Sequence, residues 1–361
     1  MRAIIVAAAI LVATLLWGCD GGGDDKDADA GGDVSVEDAG PDVELDVSDE
    51  DVAADTGEDP EAPDADDDAA DDAESGDMIE VELGPVVASC PSHDFELRDG
   101  LNMGFTANEA ERTFFLMLPD GYDEEEGPWP VVVSWHSANH DYVEGAELIQ
   151  DYVNTPGFSF IGVAPSSLQL ELPDGFDWDV LTYDEGDNFD VELFDGLLDC
   201  LDEAFGVDED RVHSVGWSAG AIMCDMLAIA RGDVLASTVA FSGSYFSDER
   251  QVVIPGAMYW PEYGLANKFT TVVVWGGEED VYMPFLSFHT AALNTIDYLN
   301  TLGHDIIGCN HGGAHSLPPD FTGEQAVEFF RDHPMGSHPT PYAGDGVPED
   351  FPDYCDLHLA P

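Results

Sequence analysis

The sequence predicts an α/β domain built on a mostly parallel central sheet with helices on both faces. Three observations carry that reading. Short runs such as Val131-Val132-Val133 and Val272-Val273-Val274 are apolar at every position, as strands buried on both faces are. They alternate with stretches of helical spacing, which puts helices in the crossovers between parallel strands. Finally, the strand-like run at 212–215 passes into Gly216-Trp217-Ser218-Ala219-Gly220 and then into an apolar stretch, 221–227, a succession of strand, tight turn and helix.

Residues 112–118 alternate as a half-exposed strand does and stop at the turn Pro119-Asp120-Gly121. Residues 131–135 form a buried strand ending at His136, and 158–164 another, closed by Pro165. Residues 190–205 have helical spacing, with Val191, Leu193, Phe194, Leu197, Leu198 and Leu201 apolar, and stop at Gly206. After the strand at 212–215, residues 237–241 and 271–275 are the next buried strands. Helices follow at 288–302, ending at Gly303, and at 323–332.

Upstream of this domain, assigned to 81–361, the composition changes. Residues 1–19 read as an export signal, with Arg2, an apolar core from Ile4 to Trp17 too short to span a bilayer, and Gly18-Cys19 at its end. Leu16-Trp17-Gly18-Cys19 resembles a bacterial lipobox, whose cysteine becomes the lipidated first residue of the mature chain. Cys19 is thus the expected lipid site, and its lipid the only expected membrane contact. The expected location is outside the cytoplasm, either anchored at the cell envelope or extracellular. Residues 20–80 are dominated by Asp, Ala, Gly and Glu, with Lys26 the sole basic residue and no aromatic. Such a segment buries too little apolar surface to offset its ordering entropy, and is expected to be a disordered acidic tether.

The chain has 77 Asp and Glu against 9 Lys and Arg, a formal net charge of −68. From residue 81 onward the counts are 50 and 7, so the acidity belongs to the domain as well as to the tether. A surface of that sign repels nucleic acid and anionic lipid, which excludes both as partners. With Cys19 lipidated, Cys90, Cys200, Cys224, Cys309 and Cys355 remain, an odd number that predicts up to two disulfides and one free thiol, with the pairing open. There is no Cys-x-x-Cys, and the spacing of His304, Cys309, His311 and His315 fits no zinc pattern, so no metal is expected.

Gly216-Trp217-Ser218-Ala219-Gly220 between a strand and a helix is the context of a nucleophile elbow, in which the serine is lifted clear of the sheet. A serine hydroxyl needs a base to take its proton and a carboxylate to orient that base. On this fold the chain order is Ser, then Asp or Glu, then His, each after a strand. Asp280 follows the strand at 271–275 and is the favoured acid, with Glu278 and Glu279 as rivals on the same loop. His315 is the favoured base on the Gly-rich loop 310–315, with His311 as its rival. The oxyanion hole would take the N–H of Ala219 and another from the loop at His136-Ser137. Trp178, Tyr183 and Trp217 are candidate walls of an acyl pocket.

Several segments together resemble the secreted polyhydroxybutyrate depolymerase and feruloyl esterase-like α/β-hydrolases. They are Phe115-Leu116-Met117-Leu118-Pro119-Asp120-Gly121-Tyr122, then Pro130-Val131-Val132-Val133 with His136, and Asp208-Glu209-Asp210-Arg211-Val212 before the elbow. Gly277 and Asp280, Gly312-Gly313-Ala314-His315 and Phe329-Phe330-Arg331-Asp332-His333-Pro334 complete the pattern. The resemblance implies an α/β-hydrolase fold and a Ser218, Asp280, His315 triad that hydrolyses small or polymeric carboxylic esters without metal or organic cofactor. Two positions depart from the pattern: Ser137 and Ala221 stand where the family has glycine. These departures favour one other reading, a surface lipoprotein that uses the fold for binding, and a serine peptidase of related fold is a third.

The acidity suggests a saline habitat, where screening offsets self-repulsion. The unfolding temperature is expected to rise as salt is increased from roughly 0.1 M to 1 M, over which the screening length falls several-fold. A flat or falling calorimetric series would remove that explanation.

Overall fold

A strand turns successive side chains to opposite faces of its sheet, so a run that is apolar at every position needs cover on both sides. The computed structural model describes residues 83–123, 127–168, 177–180, 188–243, 268–282 and 286–361. The expected signal segment with Cys19, the tether at 20–80 and Tyr183 lie outside those residues. Within them, one sheet has nine strands: β1 (Gly100–Ala107), β2 (Ala110–Met117), β3 (Trp129–Trp135), β4 (Ile161–Pro165), β5 (Val207–Trp217), β6 (Ser237–Phe241), β7 (Thr270–Trp275), β8 (Asp305–Asn310) and β9 (Cys355–His358). Their order across the sheet is β9-β8-β7-β6-β5-β3-β4-β2-β1. Strands β3 to β8 run parallel, and β1, β2 and β9 are antiparallel to their neighbours.

Helices α1 (Tyr142–Ile149) and α5 (Gly323–Asp332) pack on one face, where Ala146, Ile149, Phe329 and Phe330 share a core with Val132, Val215, Val272 and Ile307. On the other face lie α2 (Phe189–Phe205), α3 (Ala219–Ala230) and α4 (Phe288–Thr301), whose Leu197, Met223, Leu227 and Ala292 join Val131, Val133, Val273 and Ile306. Consecutive residues of one strand therefore feed two different cores. The α/β architecture expected from the sequence is the one observed.

Several elements differ from the sequence reading, among them the unread hairpin Val86–Cys90 with Phe95–Arg98. The expected strand at 158–164 is broken at Phe160, whose N–H donates to Val153 O; Phe158–Ser159 folds back on Asn154–Thr155 and β4 begins only at Ile161. Strand β1 went unread; it pairs with β2 through a turn in which Asn108 and Glu109 have φ of 46° and 62°. Helix α1, capped by the Asp141 carboxylate on the N–H of Val143, and the edge strand β9 were also unread.

Among the described residues there are two disulfides and one buried thiol, within what the cysteine count predicted: Cys90 bonds Cys200 on α2, Cys309 bonds Cys355 across β8 and β9, and Cys224 is free. Strand β2 is tied to α2 by an ion pair between Arg112 Nη2 and Asp190 Oδ1 at 2.6 Å, both side chains at most 1% exposed. Asp190 also accepts the N–H of Asp179 at 2.6 Å, which fixes the short segment carrying Trp178. Removing one partner of such a pair strands a charge in the core and costs about 3–5 kcal/mol.

Asp225 on α3 is handled differently, because burial alone pushes its carboxyl up to about 8. In the unfolded chain a carboxyl titrates near 4. The folded state thus keeps a proton that the unfolded state releases, a contribution complete below about pH 4 and lost as pH rises toward 8. Asp225→Asn is expected to raise the melting temperature most at pH 8, with the gain over the parent narrowing steadily toward pH 4. A gain independent of pH would assign the titration to another group.

Candidate active site

The nucleophile turn is built by two close approaches. A Cβ on Gly216 would stand 2.4 Å from the carbonyl oxygen of Gly220, and one on Gly220 would stand 2.1 Å from that of Trp135. Only glycine at both positions lets the N-terminus of α3 press against the ends of β5 and β3. Between them Ser218 adopts φ 55° and ψ −116°, donates its N–H to Phe241 O at 2.8 Å and caps α3 through its own carbonyl. A non-glycine residue at positive φ is strained, and such strain gathers at functional sites. The serine lies at the carboxyl edge of the sheet and is 8% exposed.

The loops after β7 and β8 bring the other two residues to it. His315 Nε2 lies 3.0 Å from Ser218 Oγ, and His315 Nδ1 lies 2.7 Å from Asp280 Oδ1. With the carboxylate as acceptor, Nδ1 carries the proton and Nε2 is left to accept from the serine hydroxyl. Asp280 is fully buried, and its Oδ2 accepts from Ser242 Oγ at 2.7 Å and from the N–H of Gly276 at 2.8 Å. Glu278 and Glu279 are exposed, and His311 turns to the N–H of Gly313 and the ring of Tyr354. Of the candidates, His315 is the histidine beside Ser218, and Asp280 is the acid beside His315.

The two loops lock onto each other: Ala314 N–H donates to Gly276 O, His311 N–H donates to Trp275 O, and a Cβ on Gly276 would stand 1.7 Å from Ala314 O. The imidazole of His315 is stacked on buried Phe288, with centroids 5.0 Å apart and planes at 9°, and Trp217 lies 5.9 Å away. Gly276, Ser242 and Phe288 were not singled out in the sequence. Nothing local marks them, since their roles arise where separate strand ends converge.

The oxyanion side needs one correction. Ala219 opens α3, where the helix makes no use of its N–H. The second donor was expected from the loop at His136-Ser137, and of these two the N–H of Ser137 instead donates to Glu144 Oε2 at 2.5 Å. Glu144 reaches back from the first turn of α1 and also lies 3.2 Å from His140 Nδ1. The side chain of His136 is a strut: Nε2 accepts from Ser167 N–H, Nδ1 donates to Ser137 O, and burial holds the imidazole below its ordinary pKa and so neutral. Its carbonyl accepts the indole N–H of Trp178, which is fully buried edge-on to Trp135 and is core rather than pocket wall.

Ala221 is also buried, and its Cβ would be 2.9 Å from a Cβ built on Gly243, so its extra atom packs toward the end of β6. Of the residues weighed as metal ligands, Cys309 is consumed in a disulfide and His304 Nδ1 faces Phe269 O. Among the described residues no cluster of three or more His, Cys, Asp or Glu is placed to hold a metal, and no helix is long and apolar enough to cross a membrane.

No protein-family model matches the chain. In sequence it is 25% identical to feruloyl esterase D of Neurospora crassa over 176 residues, which are 46% of this chain and 58% of that protein. The chain therefore spans less than two thirds of that relative's length. Among solved structures, native sOPH matches with a TM-score of 0.60 at 18% identity, over 75% of this chain and 97% of the other. Native pOPH matches with a TM-score of 0.59 at 17% identity, with the same coverage. Identities this low speak for the fold alone. The chain has the α/β-hydrolase fold, and the resemblance of its motifs to the polyhydroxybutyrate depolymerase and feruloyl esterase-like members of that fold stands.

Proposed function

We propose that the protein is an exported serine hydrolase of carboxylic esters that works through an acyl-enzyme. The observation that carries this reading is the unbroken hydrogen-bond chain Asp280–His315–Ser218 at the carboxyl edge of the sheet. Nε2 of His315 takes the hydroxyl proton as Ser218 Oγ attacks the ester carbonyl. The charge that then appears on the imidazole lies against the carboxylate of Asp280, and the charge on the substrate oxygen lies at the N-terminus of α3, beside Ala219 N–H. His315 returns its proton to the departing alkoxide, and a water molecule activated by the same nitrogen releases the acid. Each proton has a carrier among these residues, so the chemistry calls for no metal or organic cofactor. A feruloyl, acetyl or hydroxyalkanoate ester all fit this scheme. Cys19 would carry the lipid, and residues 20–80 would tether the catalytic domain, 81–361, to the envelope.

One observation favours a second reading, binding without turnover: the carboxylate of Glu144 occupies the N–H of Ser137, where an oxyanion donor was expected. A single substitution separates the two. Ser218→Ala is expected to lower kcat on a p-nitrophenyl ester by roughly a thousandfold or more while leaving the melting temperature near the parent's, and to abolish labelling by a fluorophosphonate. A parent protein that neither hydrolyses the ester nor takes up the probe would leave the binding reading in place.

A further inference from the structure

A buried carboxylate is held by the donors that surround it, and Asp280 has few. Among the described residues its one ionisable hydrogen-bond partner is His315, on Oδ1. Its other oxygen depends on two neutral donors from separate strand ends, Gly276 N–H beyond β7 and Ser242 Oγ beyond β6. A single contact to Oδ1 would leave the carboxyl plane free to swing about its terminal torsion, which has no sharp minima. Two donors on Oδ2 from different directions remove that freedom and aim Oδ1 at the ring nitrogen.

Ser242 is itself held with care. It is 2% exposed, has φ 52°, and donates its own N–H to Val274 O at 2.7 Å. Serine accepts such a conformation only under constraint, and here the constraint delivers a hydroxyl to Asp280. On its far side a Cβ on Gly243 would stand 2.9 Å from Ala221 Cβ and 3.0 Å from Asp225 Oδ2, so this strand end runs close along the first turns of α3. We infer that Ser242 is a positioning residue for ester hydrolysis: its hydroxyl fixes the plane of the Asp280 carboxylate and disperses its charge, so that the shared proton stays on Nδ1 of His315. The inference rests on the roles proposed above for Ser218, His315 and Asp280. Among the described residues, His315 is hydrogen-bonded to Asp280, His311 lies within electrostatic reach of it, Tyr282 lies 6.3 Å from the His315 ring, and Glu278 and Glu279 stand exposed on the same loop.

Two variants test it. Ser242→Ala removes the hydroxyl and keeps the Cβ; Ser242→Gly removes the hydroxyl and relieves the positive φ, so it serves if the alanine protein folds poorly. Both are expected to lose roughly ten- to a hundredfold in kcat on a p-nitrophenyl ester with KM little changed. In both, the acid limb of kcat/KM is expected to move to higher pH, because a carboxylate with one donor fewer draws a proton onto the imidazole more readily. If glycine restores the parent rate and pH profile, Ser242 serves only the backbone and the inference fails. If Ser218→Ala abolishes turnover while both Ser242 variants stay within about twofold of the parent, the inference fails and the triad stands. If Ser218→Ala leaves the rate unchanged, the underlying reading fails first.

Discussion

The carboxyl edge of this sheet depends on how closely separate pieces of backbone can approach one another. The first turn of α3 meets the end of β3 at Gly220, and the loop after β8 meets the loop after β7 at Gly276. At both places a single methyl group would have to occupy space already filled by a carbonyl oxygen. The first contact sets the height of Ser218 above the sheet, and the second sets the distance between Asp280 and His315. The three side chains are contributed by loops 35 and 97 residues apart in sequence, so their registration within hydrogen-bonding distance is a property of backbone packing.

In so acidic a chain, the carboxylates that are buried show the physical options most clearly. Asp190 is neutralised by the guanidinium of Arg112. Asp305 spreads its charge over the N–H groups of Thr340 and Ala360, which fastens the C-terminal segment to β8. Asp280 combines an imidazole with two neutral donors, and Asp225 stays protonated. Pairing, hydrogen bonding and protonation are the three ways by which burial of an acid becomes tolerable. The role proposed for His315 calls for hydrogen bonding by neutral donors at Asp280, since a permanent cation beside that carboxylate would weaken its hold on a transient one.

Much of this was legible in the sequence because it was written in local patterns. Val131-Val132-Val133 and Val272-Val273-Val274 announce strands covered on both faces, and the glycines around Ser218 announce a turn that no other residue tolerates. Chain order then narrowed the acid to the loop of Glu278, Glu279 and Asp280 and the base to His311 and His315, with Asp280 and His315 favoured. What stayed hidden depends on contacts between distant segments. Strand β1 is interrupted by Gly104 at φ 82°, where its register with β2 shifts, so its alternation is blurred. Helix α1 has only two turns, with Gly145 inside it packed against Ser134 O. The engagement of Ser137 by Glu144 joins a loop to the helix that follows it, and Ser242 is a small polar residue at a strand end like many others. Neither leaves a periodic trace. Trp178 misled for the opposite reason, since a large aromatic reads alike whether it lines a cavity or fills one.

The two covalent bridges have a topological consequence. One encloses the chain from Cys90 to Cys200 and the other from Cys309 to Cys355, so between them they span β1 to β4 and the junction of the base loop with the last strand. A protease that nicked an exposed turn inside either ring would sever the polypeptide without separating the pieces. The sheet edge that carries Ser218, Asp280 and His315 would stay joined to both fragments, and damage fatal to an unbridged chain would amount here to a cut thread in a stitched seam.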